Sequence, residues 1–373
     1  MPALTLAQVY RRFAEADADA DAAVTSPLYQ GVAVALSESE PALRAIGTAP
    51  ARHRRPALIL AALHDLALAG TAPALAAAYT AGDTQAAAAA AIGTLLTMTS
   101  EVMATAARRP LRPTETGRHT VLYPAIAEVA HRASAQAIVL IDLGSSAGLN
   151  LNADRVGITY SNGQSLGDPS SPVQQEASIV GQQRVPQWAI PEVVKRITVG
   201  PDPVDVTDPE EARWLRACLP PDQPELAARL SAELTLAASN PLLRLPGDPI
   251  EQLPEALAQV PSGALPVVIT TWALSHFPLQ TRLRFLQRLD AAATDRPVAW
   301  VSVEGVGVAP AIPTFGDRPA SGHSIIGLAQ FGHQTLQVEA VGRCWSRGRL
   351  LAWLPGPLTG PASHQKTGSG PGR

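Results

Sequence analysis

From Leu4 to about residue 135, apolar positions recur every three or four residues, which is the spacing of one buried helix face. The segments Leu4–Ala18, Ser26–Ser37, Pro56–Ala69, Thr71–Tyr79, Asp83–Ala107 and Tyr123–Ser134 carry Ala- and Leu-rich stripes at that period and are predicted helices. Pro27, Pro41, Pro56 and Pro73 fall near the starts of such segments, where a residue without N–H costs nothing. From Ile138 the pattern changes to short β-branched runs. Strands are predicted at Ile138–Leu143, Arg196–Val199, Leu242–Pro246, Pro266–Thr271, Val298–Val303, Gln337–Gly342 and Gly348–Trp353. Helical stretches at Pro209–Cys218, Pro224–Ala238, Ile250–Val260 and Pro278–Ala293 separate them.

Strand and helix in alternation predict an α/β fold with a mostly parallel sheet and right-handed crossovers. The last two strands share only the short link Arg343–Arg347, so they are expected to form an antiparallel edge hairpin. The chain divides into a helical domain over 1–135 and an α/β domain over 136–355. Residues 161–191, rich in turn pairs such as Asn162-Gly163 and Gly167-Asp168-Pro169, read as a long loop or small hairpin inserted after the first strand and helix. Residues 356–373 are Gly-, Pro- and Ser-rich and read as a disordered tail.

Composition narrows the function classes. A hydrophobic share of 46% with 16% charged residues is that of a packed globular chain. A formal net charge of -3 provides no field for nucleic acid or an anionic membrane. Cys218 and Cys344 are too few for a disulfide framework, and the histidines show no metal-ligand spacing. With no signal-like leader and no uncharged apolar run of about 18 residues, a cytoplasmic protein with a small-molecule substrate is expected.

The densest chemistry lies at the first strand. The apolar run from Ala137 closes on Asp142, and after Leu143 the turn Gly144-Ser145-Ser146-Ala147-Gly148 follows. Glycines there bare the backbone N–H groups to a ligand, and one carboxylate at the strand tip can receive a hydroxyl or an amine. In an open parallel sheet, ligands sit beyond the carboxyl ends of the strands. Acidic or polar groups follow each later strand in turn: Asp202 and Asp205, then Asp248 after Gly247, then Trp272-Ala273-Leu274-Ser275-His276, then Glu304.

This ordering resembles class I methyltransferases that use S-adenosylmethionine, which implies a Rossmann-like core with that cofactor. The resemblance assigns Asp142, Gly144, Ser145, Ser146 and Gly148 to the methionine and ribose. It gives Asp202 or Asp205 the ribose hydroxyls and Asp248 the adenine amine. It sets Trp272 and His276 beside the methyl donor, His276 as candidate base. Over nearly the whole chain the sequence also resembles the bacterial family called domain of unknown function 2332. That resemblance rests on Ser26-Pro27-Leu28-Tyr29, Thr114-Glu115-Thr116-Gly117-Arg118, Gly144–Leu151 with Asp154-Arg155, Pro203-Val204-Asp205, Trp214–Cys218, Gly247-Asp248 and Trp300–Glu304. Gly200 and Pro220 depart from the family pattern, which has an acid and a Trp there. Glu115 and Arg118, just ahead of the core, are candidates to close over the cofactor or to join the two domains.

Two other readings stand beside this one. Gly144–Gly148 also fits Gly-x-Ser-x-Gly, so a hydrolase would use Ser146 with Glu304 and His323 or His333. A nucleophile elbow, however, follows a mid-sheet strand, whereas only helices precede this one. The second is a nucleotide-binding module without turnover.

Overall fold

The computed structural model describes residues 4–15, 26–112 and 116–354. The tail 356–373, the last residues of the first predicted helix, and Thr114 and Glu115 lie outside them. Seven helices come first: α1 (Leu6–Glu15), α2 (Pro27–Glu38), α3 (Glu40–Gly47), α4 (Pro56–Leu68), α5 (Pro73–Ala81), α6 (Thr84–Thr97) and α7 (Thr99–Arg108). Their starts follow the sequence. Ser26 Oγ accepts from the Tyr29 N–H, Asp83 accepts from Gln85 and Ala86, and prolines open α2, α4 and α5.

The single helix expected over Asp83–Ala107 is instead two, bent by 90°. Met98 leaves helical geometry at φ -122°, ψ 37°. On either side of it Thr97 and Thr99 donate to the Gly93 and Leu95 carbonyls, back-bonds that favour a bend. No single helix among the described residues is long and apolar enough to cross a membrane.

The remainder comprises α8 (His119–Arg132), β1 (Ala137–Leu143), β2 (Gly157–Tyr160), β3 (Ser165–Gly167), β4 (Gln174–Ile179), β5 (Glu192–Gly200), α9 (Pro209–Ala217) and α10 (Pro224–Ala238). There follow β6 (Leu243–Pro246), α11 (Leu253–Ala258), β7 (Leu265–Thr271), α12 (Leu279–Ala292), β8 (Val298–Gly305), β9 (Ser324–Gly332), β10 (Thr335–Trp345) and β11 (Leu350–Trp353). All eleven strands join one sheet in the order β3-β2-β4-β11-β10-β9-β8-β7-β1-β5-β6. The run β6-β5-β1-β7-β8 is parallel throughout, as the alternation implies. The antiparallel β10–β11 hairpin forms as expected but lies inside the sheet, because β11 pairs in parallel with β4.

The helix α3 was not expected, and two regions of the sheet also differ from the sequence reading. Residues 161–191 supply β3 and β4, which with β2 extend the main sheet by three strands. β9 lies antiparallel beside β8 in a stretch where no strand was expected.

The sheet packs two cores. On one face Ile138, Leu140, Val267, Ile269, Val301 and Val303 meet α8, most of whose side chains are buried. On the other, Val139, Ile141, Val268 and Trp300 meet Leu253 and Leu257 of α11 and Phe285 and Leu289 of α12. So α8, which precedes residue 135, packs as the central rod of the sheet and touches β3, β4, β7, β8 and β9. Pro124 sits within it and has no N–H for the Thr120 carbonyl; the Tyr160 hydroxyl donates to that oxygen instead, at 2.6 Å. The first seven helices form a third core that takes in Trp214 and Ala217 of α9. Across this junction Arg213 Nε donates to Asp65 at 2.8 Å, and Asp222 accepts from Ser26 Oγ and the Leu28 N–H.

Candidate active site

Within the parallel run, β5 and β6 lie on one side of β1 and the later β7 and β8 on the other, so the strand order reverses at β1. In sheets of this type the ligand crevice lies at such a reversal, here the carboxyl ends of β1 and β7. Gly144 lies there at φ +83° and Gly148 at φ +65°. A Cβ on Gly144 would stand 3.0 Å from Ala273 Cβ, so the turn after β1 and the loop after β7 form two touching lips. The turn is held from below: the Gly144 N–H donates to the Val199 carbonyl, the Gly148 N–H to Ser145 Oγ, and the Val204 N–H to the Ser146 carbonyl. A 3₁₀ segment, Leu149–Arg155, follows Gly148 instead of the expected helix.

Asp142 is fully buried, and Asn150 Nδ2 donates to its Oδ2 at 2.9 Å. The same amide lies 3.2 Å from Thr271 Oγ1, which also accepts from Arg118 Nη1 at 3.0 Å. Arg118 is buried too and lays its guanidinium 5.2 Å from the centre of the Trp272 ring. Asp142, Asn150, Thr271 and Arg118 thus form one polar cluster joining the tips of β1 and β7 to the residues just before α8. Arg118 was singled out in the sequence; Asn150, present in the Gly-Leu-Asn run, carried no assigned role there.

Trp272 holds a left-handed backbone at φ +52°, which a bulky residue adopts only under constraint. The constraint is visible. Its N–H donates to the Val303 carbonyl, its Nε1 to Ser324 Oγ at 2.8 Å, and the next two N–H groups, of Ala273 and Leu274, both donate to Glu304 Oε1 at 3.1 Å. Glu304 is 1% exposed, and burial raises its carboxyl from 4.5 to about 7. His276 closes the 3₁₀ turn Leu274–His276 with its side chain exposed.

The acids after β5 and β6 lie at the surface. Asp202 pairs with Arg112, and Asp205 accepts from Arg244 Nη2 at 2.8 Å and from the Thr207 hydroxyl and N–H. Those Thr207 bonds, with help from Arg244, hold the Asp205 carboxyl below its usual value. Asp248 caps its own turn, Oδ1 accepting from the Ile250 and Glu251 N–H groups, while Oδ2 has no partner among the described residues. The histidines of the hydrolase reading are also placed. His333 lies in the β9–β10 turn, at the opposite end of the sheet from Ser146, since β9 runs antiparallel to β8. His323 shares the Ser146 end, but its Nε2 is 2.8 Å from Asp317, and three strand spacings, about 14 Å, separate β9 from β1.

A second buried polar chain starts beside the turn. His119 Nε2 lies 3.0 Å from the Leu149 carbonyl, which can only accept, so Nε2 carries the proton. Nδ1 then accepts from Gln175 Nε2 at 2.8 Å, and that amide also donates to Glu233 Oε1 at 2.9 Å. Burial lowers His119 to about 4, which keeps it neutral at pH 7. None of these three residues was a candidate from sequence. Glu233 had a signal, an acid on the apolar face of α10 between Leu230 and Ala237; Gln175 had none. Among the described residues no group of three His, Cys, Asp or Glu is placed to hold a metal ion.

Family comparison covers almost all of this architecture. The family described as "Uncharacterized protein conserved in bacteria (DUF2332)" matches residues 7–353. The chain belongs to this family. The DUF2332 match spans the helical part, the crevice and β11 alike, so the cores described above all fall within it. A search among curated proteins finds no match to the chain.

Proposed function

We propose that this protein is a Rossmann-like methyltransferase that binds S-adenosylmethionine at the carboxyl ends of β1, β5, β6 and β7 and acts on a small molecule. The observation that carries the reading is the glycine turn at the strand-order reversal, with fully buried Asp142 beneath it. The residues present fit such a ligand. Gly144 is exposed at the lip, and Asp248 keeps one free oxygen for an exocyclic amine. Asp202 is held by a surface ion pair with Arg112, which contributes about 0–1 kcal/mol, so ribose hydroxyls can compete for it more readily than for Asp205, whose carboxylate is also taken by the Thr207 hydroxyl and N–H.

S-adenosylmethionine, held by the Gly144–Gly148 turn and Asp248, would supply a methyl group activated on a sulfonium. The chain's part is alignment. Trp272, fixed by Ser324, Val303 and Arg118, shapes the wall beside the donor, and exposed His276 is the group on that turn able to accept a proton from the acceptor. Calorimetry with S-adenosylmethionine and S-adenosylhomocysteine tests this. The wild type is expected to bind both. Gly144→Val, with its added methyls forced against Ala273, is expected to lose binding by at least about tenfold. Absence of binding by the wild type sinks the proposal. Binding without turnover over broad acceptor pools would leave a nucleotide-binding module, and fluorophosphonate labelling of Ser146 would point to a hydrolase.

A further inference from the structure

A pocket of about 260 Å³ opens between α10, β4 and the residues that lead into α8 and β11. It is smaller than a typical drug-sized site, and it suits a metabolite of about ten heavy atoms. Its polar lining is organised by depth. Glu233, 3% exposed, stands at the back, held by Gln175 Nε2 and by the Gly117 N–H at 3.4 Å. Gln175 is itself buried, and its Oε1 has no hydrogen-bond partner among the described residues. The Glu233 carboxylate beside that amide gives the back wall its acceptor character, which favours a ligand bearing N–H or O–H donors, above all a cationic amine.

The mouth carries the opposite charge. Arg229 and Arg349 both line the pocket, both are exposed, and neither has an ion pair or side-chain hydrogen bond among the described residues. Arg229 lies one turn before Glu233 on α10, so helix geometry places both on one face. The Arg349 backbone is fixed by its carbonyl, which accepts from the Ser178 N–H at 2.9 Å. Its neighbour Gly348 packs against the start of α8, where a Cβ would sit 2.8 Å from Thr120 Oγ1. Glu176 is the remaining charged residue in the lining, which makes two carboxylates and two guanidiniums in all. Balanced charge of this kind disfavours a simple anion and matches a molecule with both signs.

We infer that this pocket binds a small zwitterion, its amine toward Glu233 and Gln175 and its carboxylate or phosphate toward Arg229 and Arg349. The site stands apart from the crevice and does not depend on what the crevice holds. The two are nonetheless joined through three consecutive residues: Gly117 lines the pocket, Arg118 reaches Thr271, and His119 reaches the Leu149 carbonyl.

Calorimetry on the full chain tests the inference with β-alanine and O-phosphoethanolamine, against ethanolamine as the amine half and propionate and inorganic phosphate as the respective acid halves. At least one zwitterion is expected to bind about tenfold or more tighter than either half; which one distinguishes a carboxylate from a phosphate ligand. The surface variant Arg229→Gln/Arg349→Gln is expected to weaken that binding by about tenfold, and Glu233→Gln to remove the preference for the amine-bearing probe. If neither zwitterion exceeds its halves, or if the double arginine variant binds as the wild type does, the inference is wrong. The arginine variant keeps the test decisive even if Glu233→Gln does not fold.

Discussion

Glu304→Gln gives the most direct test of how the loop after β7 is held. In the folded chain the Glu304 carboxyl sits at about 7 because burial penalises its charge, against 4.5 for the exposed group. A folded value above the unfolded one means that folding takes up a proton between those two pH values. The stabilisation is therefore full below about pH 4.5 and lost as pH rises through about 7. The difference corresponds to about 3 kcal/mol. Oε1 already accepts two backbone N–H groups, so the proton goes to Oε2. Glutamine keeps the shape and an acceptor for Ala273 and Leu274 but cannot ionise. The wild-type pH profile alone is not diagnostic, because buried His119, lowered to about 4, acts with the opposite sign. Its contribution is present above about 6.5 and is lost as pH falls through about 4. The readout is accordingly the difference between variant and wild type in urea unfolding, followed by tryptophan fluorescence from pH 5 to 8. The variant is expected to gain about 2–3 kcal/mol on the wild type over that range. A constant difference would mean that Glu304 is ionised throughout, and would refute burial as what governs it.

Two further outcomes follow from buried contacts. Trp300→Phe removes the indole N–H that donates to Thr270 Oγ1 at 3.0 Å between two fully buried side chains, and is expected to cost about 1–3 kcal/mol in urea unfolding at constant pH. Asp65→Asn weakens the charge-assisted bond from Arg213 that ties α4 to α9, and is expected to cost about 1–2 kcal/mol, with faster proteolysis between the helical part and α9 as the check.

What the sequence revealed depended on how each element is buried. β1, β7 and β8 are buried on both faces, so their apolar runs were continuous and legible. β9 is buried almost as fully yet contains Gly327, where a Cβ would come within 2.5 Å of Ile312; the glycine that permits this packing also weakens the strand pattern. β4 reads Gln-Gln-Glu-Ala-Ser-Ile, and it buries Gln175 through hydrogen bonds that no hydropathy period can register. The eight-residue α3 was not expected: it begins at Glu40 directly after Ser39, which ends α2 and caps α3, so the signals there read only as the end of one helix. At the candidate site, the order of acids after the strands pointed to the carboxyl ends of β1, β5, β6 and β7. It could not reveal that Asp202, Asp205 and Asp248 each have local partners, because capping and ligand binding call on the same residue type.

The pairing of β11 with β4 has a consequence for how the chain folds. Leu350 pairs with Ser178 and Leu351 with Ile179, so the three strands nearest that edge are joined to the rest of the sheet only through a strand some 170 residues later. During synthesis the apolar flank of α8 facing β4 and β3 stays without its full cover until residues near 350 have left the ribosome. The sheet then closes in one late, long-range step. That interval is when the nascent chain exposes its stickiest surface, and it is when a holding chaperone would matter most to its yield.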